Sequence, residues 1–238
     1  MNYSGGKLLL NVPYREKDEA KALGARWNPE LKKWYATDCT EYYRFLRWLP
    51  KDTFYIVFDS IFLVVANRTC YRCDHLTRVV GFSNPDYISF YNYLVDDDAP
   101  EDAPEDAHIH DGLILDFEDN ISLGEHYIYD RPNPIPKRIL EYLQENFNYK
   151  IKYSHSKKNS ELSNCCEHCD ALQGDHFLFN DFTSPYWPQT IEEAKKVEFL
   201  EIELEYDLPF RMIDDGVSNQ HEVFKPYAQF SKLDLELS

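Results

Sequence analysis

Glycine is scarce in this chain, at 8 of 238 residues, and loops that wrap backbone around a phosphate need it in clusters. Neither G-x-x-x-x-G-K-[ST] nor G-x-G-x-x-G occurs, and the run Ser4-Gly5-Gly6-Lys7 is too short to stand in for either. The nucleophile turn G-x-S-x-G and the metalloprotease helix H-E-x-x-H are missing as well. Long apolar runs are also absent. The most apolar stretch, residues 54–66, is broken by Asp59 and Ser60 and falls short of a bilayer's thickness. The opening MNYSGGKLLLNV has no cleavable signal pattern. These absences predict a cytoplasmic protein with no membrane partner, in which the six cysteines are thiols or metal ligands rather than disulfides.

Basic residues run short beyond the first fifty positions. Residues 1–50 hold nine Lys/Arg against six Asp/Glu, whereas the other 188 hold sixteen against thirty-six, within a formal net charge of −17. A field of that sign repels nucleic acid and anionic membranes and attracts basic proteins, or serves solubility alone. What is plentiful is apolar and aromatic material, 43% and 16% of residues with 18 tyrosines, enough for a core and against global disorder.

The chain reads as α+β: a small N-terminal αβ module over residues 1–50, then a β-rich zinc-knuckle domain with a few helices over residues 51–238. In the module, residues 8–12 form a strand closed by Pro13, and residues 16–23 a short helix with Gly24 as its left-handed cap. Arg26-Trp27 and Lys33-Trp34-Tyr35 flank Asn28-Pro29 as a hairpin. A second helix starts at Thr40 as N-cap and carries Tyr43, Phe45, Leu46 and Trp48. Trp27, Trp34 and Trp48 are expected in the module's core, since a fifty-residue unit has few other large residues to bury. Further on, residues 54–58, 61–66 and 79–82 read as strands, and residues 87–94 as a short helix or strand. Residues 96–111, with Ala-Pro-Glu-Asp repeated, read as an exposed acidic insertion. Residues 136–147 form a helix with Pro at its start, Thr190 caps another, and residues 197–206 alternate as an edge or half-exposed strand.

Two C-x-x-C pairs carry the chemistry, Cys70-Tyr-Arg-Cys73 and Cys166-Glu-His-Cys169. Each spacing lets both sulfurs of a tight turn face one metal, and two such turns supply a closed four-cysteine shell. The expectation is one structural Zn2+ held by Cys70, Cys73, Cys166 and Cys169, with the long interval between pairs closed by the metal. Four unrelated buried thiols and a redox C-x-x-C are the alternatives. Cys165 breaks the spacing and Cys39 belongs to the core. His108 and His110 beside Asp111 read as solvated loop residues, and the other six histidines show no spacing that suggests a site.

Residues 9–35, with Val12-Pro13-Tyr14, Lys17-Asp18, Lys21, Leu23-Gly24-Ala25-Arg26-Trp27 and Lys33-Trp34-Tyr35, resemble a small bacterial domain of unknown function. That domain recurs beside primase-like, topoisomerase-like and conjugation-related modules. The Trp-Asn-Pro and Lys-Trp-Tyr segments are also similar, more loosely, to the HARP module of DNA-annealing helicases. The remainder resembles an uncharacterised bacterial group with two separated C-x-x-C knuckles, matched at Asn164, Cys166, Cys169 and Ala171-Leu172-Gln173-Gly174-Asp175. Cys165 and Asp170 depart from it, at positions where His and Gly are expected. The resemblance implies a nucleic-acid context without a reaction.

The expectation that follows is a non-enzymatic bacterial zinc protein whose acidic, tyrosine-rich surface binds a basic protein, as an immunity or antitoxin-like inhibitor or a DNA mimic would. Glu201, Glu203 and Glu205 are the partner-binding candidates. The first alternative is a nucleic-acid accessory protein that contacts DNA or RNA through a rim of Arg26, Lys32, Lys33, Arg44 and Arg47. The second is an unrecognised enzyme.

Overall fold

The structure, a computed structural model, describes residues 6–90, 121–122, 124, 126–213 and 225–237. Its architecture is α+β, with several small sheets and a few short helices. Two compact units divide the chain: residues 1–59, 86–124 and 204–212 form one, and residues 60–85, 125–203 and 213–238 the other. The acidic stretch 96–111 and its histidines lie outside the described residues.

In the first unit the strands Leu8–Leu10, Lys33–Ala36 and Arg26–Asn28 form an antiparallel sheet with Lys33–Ala36 in the middle. Pro13 lacks an amide N–H and ends the extended run. One 3-10 turn, Tyr14–Glu16, then leads into the helix Lys17–Ala22, and Gly24 at φ +100° closes it in the left-handed conformation the sequence predicts. The second helix differs from expectation in kind. Cys39–Trp48 is a 3-10 helix, capped by the Asp38 side chain, which accepts the Thr40 N–H at 3.0 Å. A 3-10 helix repeats every three residues, so Cys39, Tyr42, Phe45 and Trp48 share one buried face, while Tyr43 points outward.

That face also corrects the expectation for the tryptophans. Trp48 is buried and Trp34 partly so, but Trp27 is 49% exposed on the sheet's outer strand. The core does not need it, because residues beyond position 50 complete the packing. Ile56, Ile88 and Phe90 join Leu8, Leu10, Tyr42 and Phe45 in one cluster. They come with a four-stranded sheet ordered Leu208–Phe210, Tyr55–Val57, Tyr87–Ser89 and Ile121–Ser122. Tyr87–Ser89 resolves the helix-or-strand ambiguity of that segment as strand, up to the last described residue, Phe90. Asp207 enters this interior as well. It is 3% exposed, its backbone N–H donates to the Lys7 carbonyl at 2.9 Å, and its carboxylate accepts the Tyr42 hydroxyl. Asp207 directly follows the glutamate-rich segment 197–206, and it is buried because the chain dives inward to pair beside Leu8.

The second unit is built on a five-stranded sheet ordered Gln229–Lys232, Glu198–Glu203, Ser60–Thr69, Leu76–Ser83 and Ile128–Tyr129. Ser60–Thr69 and Leu76–Ser83 pair antiparallel from Phe62↔Ser83 to Thr69↔Leu76, a long hairpin whose tip carries the first cysteine pair. Glu198–Glu203 is not an edge. It pairs antiparallel with Ser60–Thr69 and parallel with Gln229–Lys232, burying Phe199 and Ile202. Over the sheet, Phe62, Val64, Val79, Phe179, Tyr186 and Phe199 form the core. The helix Lys137–Asn146 starts after Pro136 and buries Ile139 and Leu143, as its spacing predicts. Thr190 caps Ile191–Ala194 by accepting the Glu193 N–H at 3.2 Å.

Candidate metal centre

The two cysteine turns have the same hydrogen bonds. In the first, the Cys70 N–H donates to the His75 carbonyl at 2.9 Å and the Asp74 N–H to the Cys70 carbonyl at 3.0 Å. In the second, the Cys166 N–H donates to the Ala171 carbonyl at 2.8 Å and the Asp170 N–H to the Cys166 carbonyl at 3.0 Å. After the second cysteine of each pair the chain turns through a left-handed residue, Asp74 at φ 58° and Asp170 at φ 60°. Aspartate tolerates that conformation better than most side chains, which is how it occupies a position where glycine is expected.

Different elements bring the turns together. The first sits on the hairpin Ser60–Thr69 and Leu76–Ser83; the second follows Asn159–Asn164, which pairs antiparallel with Tyr149–Ser154. Asn164 couples them. Its buried amide donates to the Val80 carbonyl at 2.9 Å and accepts the Val80 N–H at 2.8 Å, imitating one rung of a sheet. Thr77 Oγ1 accepts the Glu167 N–H at 3.0 Å, and Arg78 holds the Glu167 carboxylate with two nitrogens while its guanidinium lies over the Phe147 ring. Both nitrogens fall on Oε1, and the Arg78 backbone N–H donates to Oε2 at 3.1 Å, so both carboxylate oxygens are held.

The outcome is a single group of four sulfurs, all within 4.8 Å of one another. Cys70 and Cys169 sulfurs are 3.7 Å apart, and so are those of Cys73 and Cys166. Metal–sulfur bonds of about 2.3 Å in a tetrahedron require sulfur–sulfur edges of about 3.8 Å. The donor set therefore fits a metal ion. Donors already point at the sulfurs: the His168 N–H reaches Cys166 at 3.4 Å, and buried Gln173 reaches Cys70 at 3.5 Å while also donating to the Ala171 carbonyl.

Electrostatics point the same way. Burial works against ionising Cys70, but the backbone N–H groups of Arg72 and Cys73 and the adjacent thiols bring it down to about 6. Cys73 receives a backbone hydrogen bond at the His75 position that favours its thiolate, yet burial and the neighbouring sulfurs push it up to about 12. The first thiolate is easy to form and the next one hard, because like charges crowd one small volume. A divalent cation removes that conflict.

All four cysteines predicted as ligands are thus brought together. Cys39 and Cys165 are buried and outside the group, and the core position of Cys39 is the one expected. Histidine spacing gave no hint that His75 and His168 meet, with ring centroids 4.7 Å apart across the two turns. The pairing follows from the turns' equivalence and was invisible before the turns were joined. Of the partner-binding candidates, Glu201 accepts from Ser60 Oγ at 2.9 Å and Glu203 pairs with Lys232, both in the second unit; Glu205 is exposed in the first. In the basic rim, Arg44 pairs with Glu41 at 2.6 Å, Arg47 with Glu19, and Lys33 donates to Asn11 at 2.8 Å. Arg26 and Lys32 are exposed.

Comparison with known proteins adds a name for the beginning of the chain only. Residues 7–50 match the family described as a domain of unknown function, DUF5710. This DUF5710 region is similar to a segment of two proteins from Escherichia coli, each named DNA primase TraC. One is 51% identical over 39 residues and the other 49% over 42, covering 16% and 18% of this chain. The matched segments are 3% and 4% of those proteins' length, so the likeness extends to one small module of each. No solved structure matches. Among the described residues, no helix is long and apolar enough to cross a membrane.

Proposed function

We propose that this is a non-enzymatic bacterial protein, stabilised by one structural Zn2+ at Cys70, Cys73, Cys166 and Cys169, that acts by binding a macromolecule. The closed set of four sulfurs carries the reading. Thiolate ligands in a tetrahedron suit zinc, and four of them leave no position for water or substrate. The charge of the chain beyond residue 50, sixteen Lys/Arg against thirty-six Asp/Glu, favours a basic protein as the partner and a role as inhibitor or DNA mimic. Elemental analysis of extensively washed protein tests the metal: one zinc per chain is expected, and none in Cys169→Ser. Affinity purification from the native host tests the partner. Recovery of a basic protein whose association slows as salt rises supports the reading; salt-indifferent binding overturns it.

A second reading is favoured by one observation. Trp27 is half-exposed beside exposed Arg26, edge-on to Trp34 at 5.6 Å, in the module that is similar to part of DNA primase TraC. An exposed flat ring is the kind of platform on which single-stranded bases stack. Titration of the full chain with single-stranded DNA separates the readings. Binding at physiological salt that is lost in Trp27→Ala supports nucleic-acid contact, and its absence leaves the basic protein.

A further inference from the structure

A cavity of about 750 Å³ opens in the second unit beside the end of Ser60–Thr69. That volume lies in the range of about 300–1,000 Å³ usual for small-molecule sites. Its walls include Arg68, Phe182, Trp187 and Lys196, and none of the four cysteines. Arg68 is half-buried on the cavity wall, and its Nη1 is sealed from solvent, so contact with a ligand in the cavity falls to the other guanidinium donors. A guanidinium presents its donors in a fork that fits phosphate oxygens.

Two acids stand near these cations, and one of them, Glu193, lines the cavity itself. Glu193 Oε2 accepts the Gln189 N–H at 2.7 Å. Asp181, within electrostatic reach of Arg68, accepts both the N–H and the hydroxyl of Thr183. Lys196 is exposed at the rim and forms no ion pair among the described residues. Arg68 and Lys196 therefore outnumber Glu193 around one hollow in a part of the chain that is otherwise strongly acidic. Phe182, 75% exposed, and Trp187 add flat apolar walls. An exposed phenylalanine on a cavity wall gains by covering against a planar ring.

We propose that this cavity binds a mononucleotide, with its phosphate on Arg68 and Lys196 and its base against Trp187 and Phe182. Two cations against one carboxylate leave the wall net positive toward a phosphate monoester, and the aromatic walls select a planar group attached to it. Calorimetric titration of the full-length, metal-loaded chain with adenosine 5′-monophosphate, inorganic phosphate and adenosine tests it. The monophosphate is expected to saturate one site at least about tenfold more tightly than phosphate or adenosine, since both halves contribute. Arg68→Met should weaken it about tenfold or more, with metal content unchanged. Lys196→Gln, at an exposed position, should shift affinity in the same direction by a smaller factor and guards against a folding defect in the first variant. No saturation below about 10 mM overturns the proposal, as does equal affinity for the monophosphate and free phosphate, or affinity indifferent to both substitutions.

Discussion

The two units fasten distant stretches of chain by different chemistry. In the first, Tyr42 reaches Asp207 in an interior of leucine, isoleucine and aromatic side chains. In the second, Cys70 and Cys73 meet Cys166 and Cys169, with Asn164 and Val80 locked behind them. The first fastening is a neutral hydroxyl on a buried carboxylate, so its strength depends on a proton. The second is four sulfurs in a group that could hold a metal ion. The two fastenings can be perturbed separately, and substitutions that do so sharpen the comparison.

The largest effect is expected at the sulfurs. Cys73→Ser and Cys169→Ser, one from each turn, should each abolish metal binding and cost about 5 kcal/mol or more, read by chemical denaturation. If either variant keeps wild-type stability, the sulfur group does not hold the unit together. Next comes Asn164→Ala, which leaves the Val80 N–H and carbonyl without their partner. A loss of about 3 kcal/mol is expected with zinc content retained, a result that separates the framework from the metal.

The first unit should respond to pH instead. Burial pushes the Asp207 carboxyl up to about 6 from 3.8, only partly opposed by the hydrogen bond from Tyr42. A carboxyl raised on folding stabilises fully below its unfolded value and loses that contribution as pH rises through the folded one. Wild-type stability should therefore carry a decline of about 2–3 kcal/mol between pH 4 and pH 7 that Asp207→Asn removes. Identical pH profiles for the two proteins would show that Asp207 is already solvated. The smallest effect compares the two left-handed aspartates. Asp74→Gly should gain about 0.5 kcal/mol by relieving its backbone. Asp170→Gly should gain nothing, since it gives up contacts with Lys150, Lys152 and Asn148. Equal gains at both positions would mean those contacts contribute nothing.

The cysteine centre was legible because its signal is local: two short spacings, each complete in four residues. The hairpin that carries Cys70, the helix after Pro136 and the Thr190 cap were legible for the same reason. What escaped was set by residues far away in sequence. Trp27 looked like core until Ile56, Ile88 and Phe90 supplied the packing instead. Residues 197–206 read as an edge or half-exposed strand; Glu198–Glu203 is half-exposed but not an edge, because its second neighbour, Gln229–Lys232, pairs parallel, which no turn signal announces. The burial of Asp207 has no local signal, because only pairing beside Leu8 draws it inside. One miss had a signal. Cys39, Tyr42, Phe45 and Trp48 recur at a strict interval of three, which fits a 3-10 helix better than an α-helix.

The central position of Ser60–Thr69 has a consequence for how the chain is made. Both of its neighbours are needed to cover it, and Glu198–Glu203 leaves the ribosome long after Leu76–Ser83. Until then a nascent hairpin displays Phe62, Val64 and Ala66 along an unpaired margin, with two of four sulfurs waiting at its tip. Pairings this distant are slow to form and leave sticky intermediates. Metal supplied during synthesis can be trapped only once Cys166 and Cys169 have emerged, so expression in metal-poor medium should fail by aggregation of an incomplete sheet rather than by misfolding of a finished one.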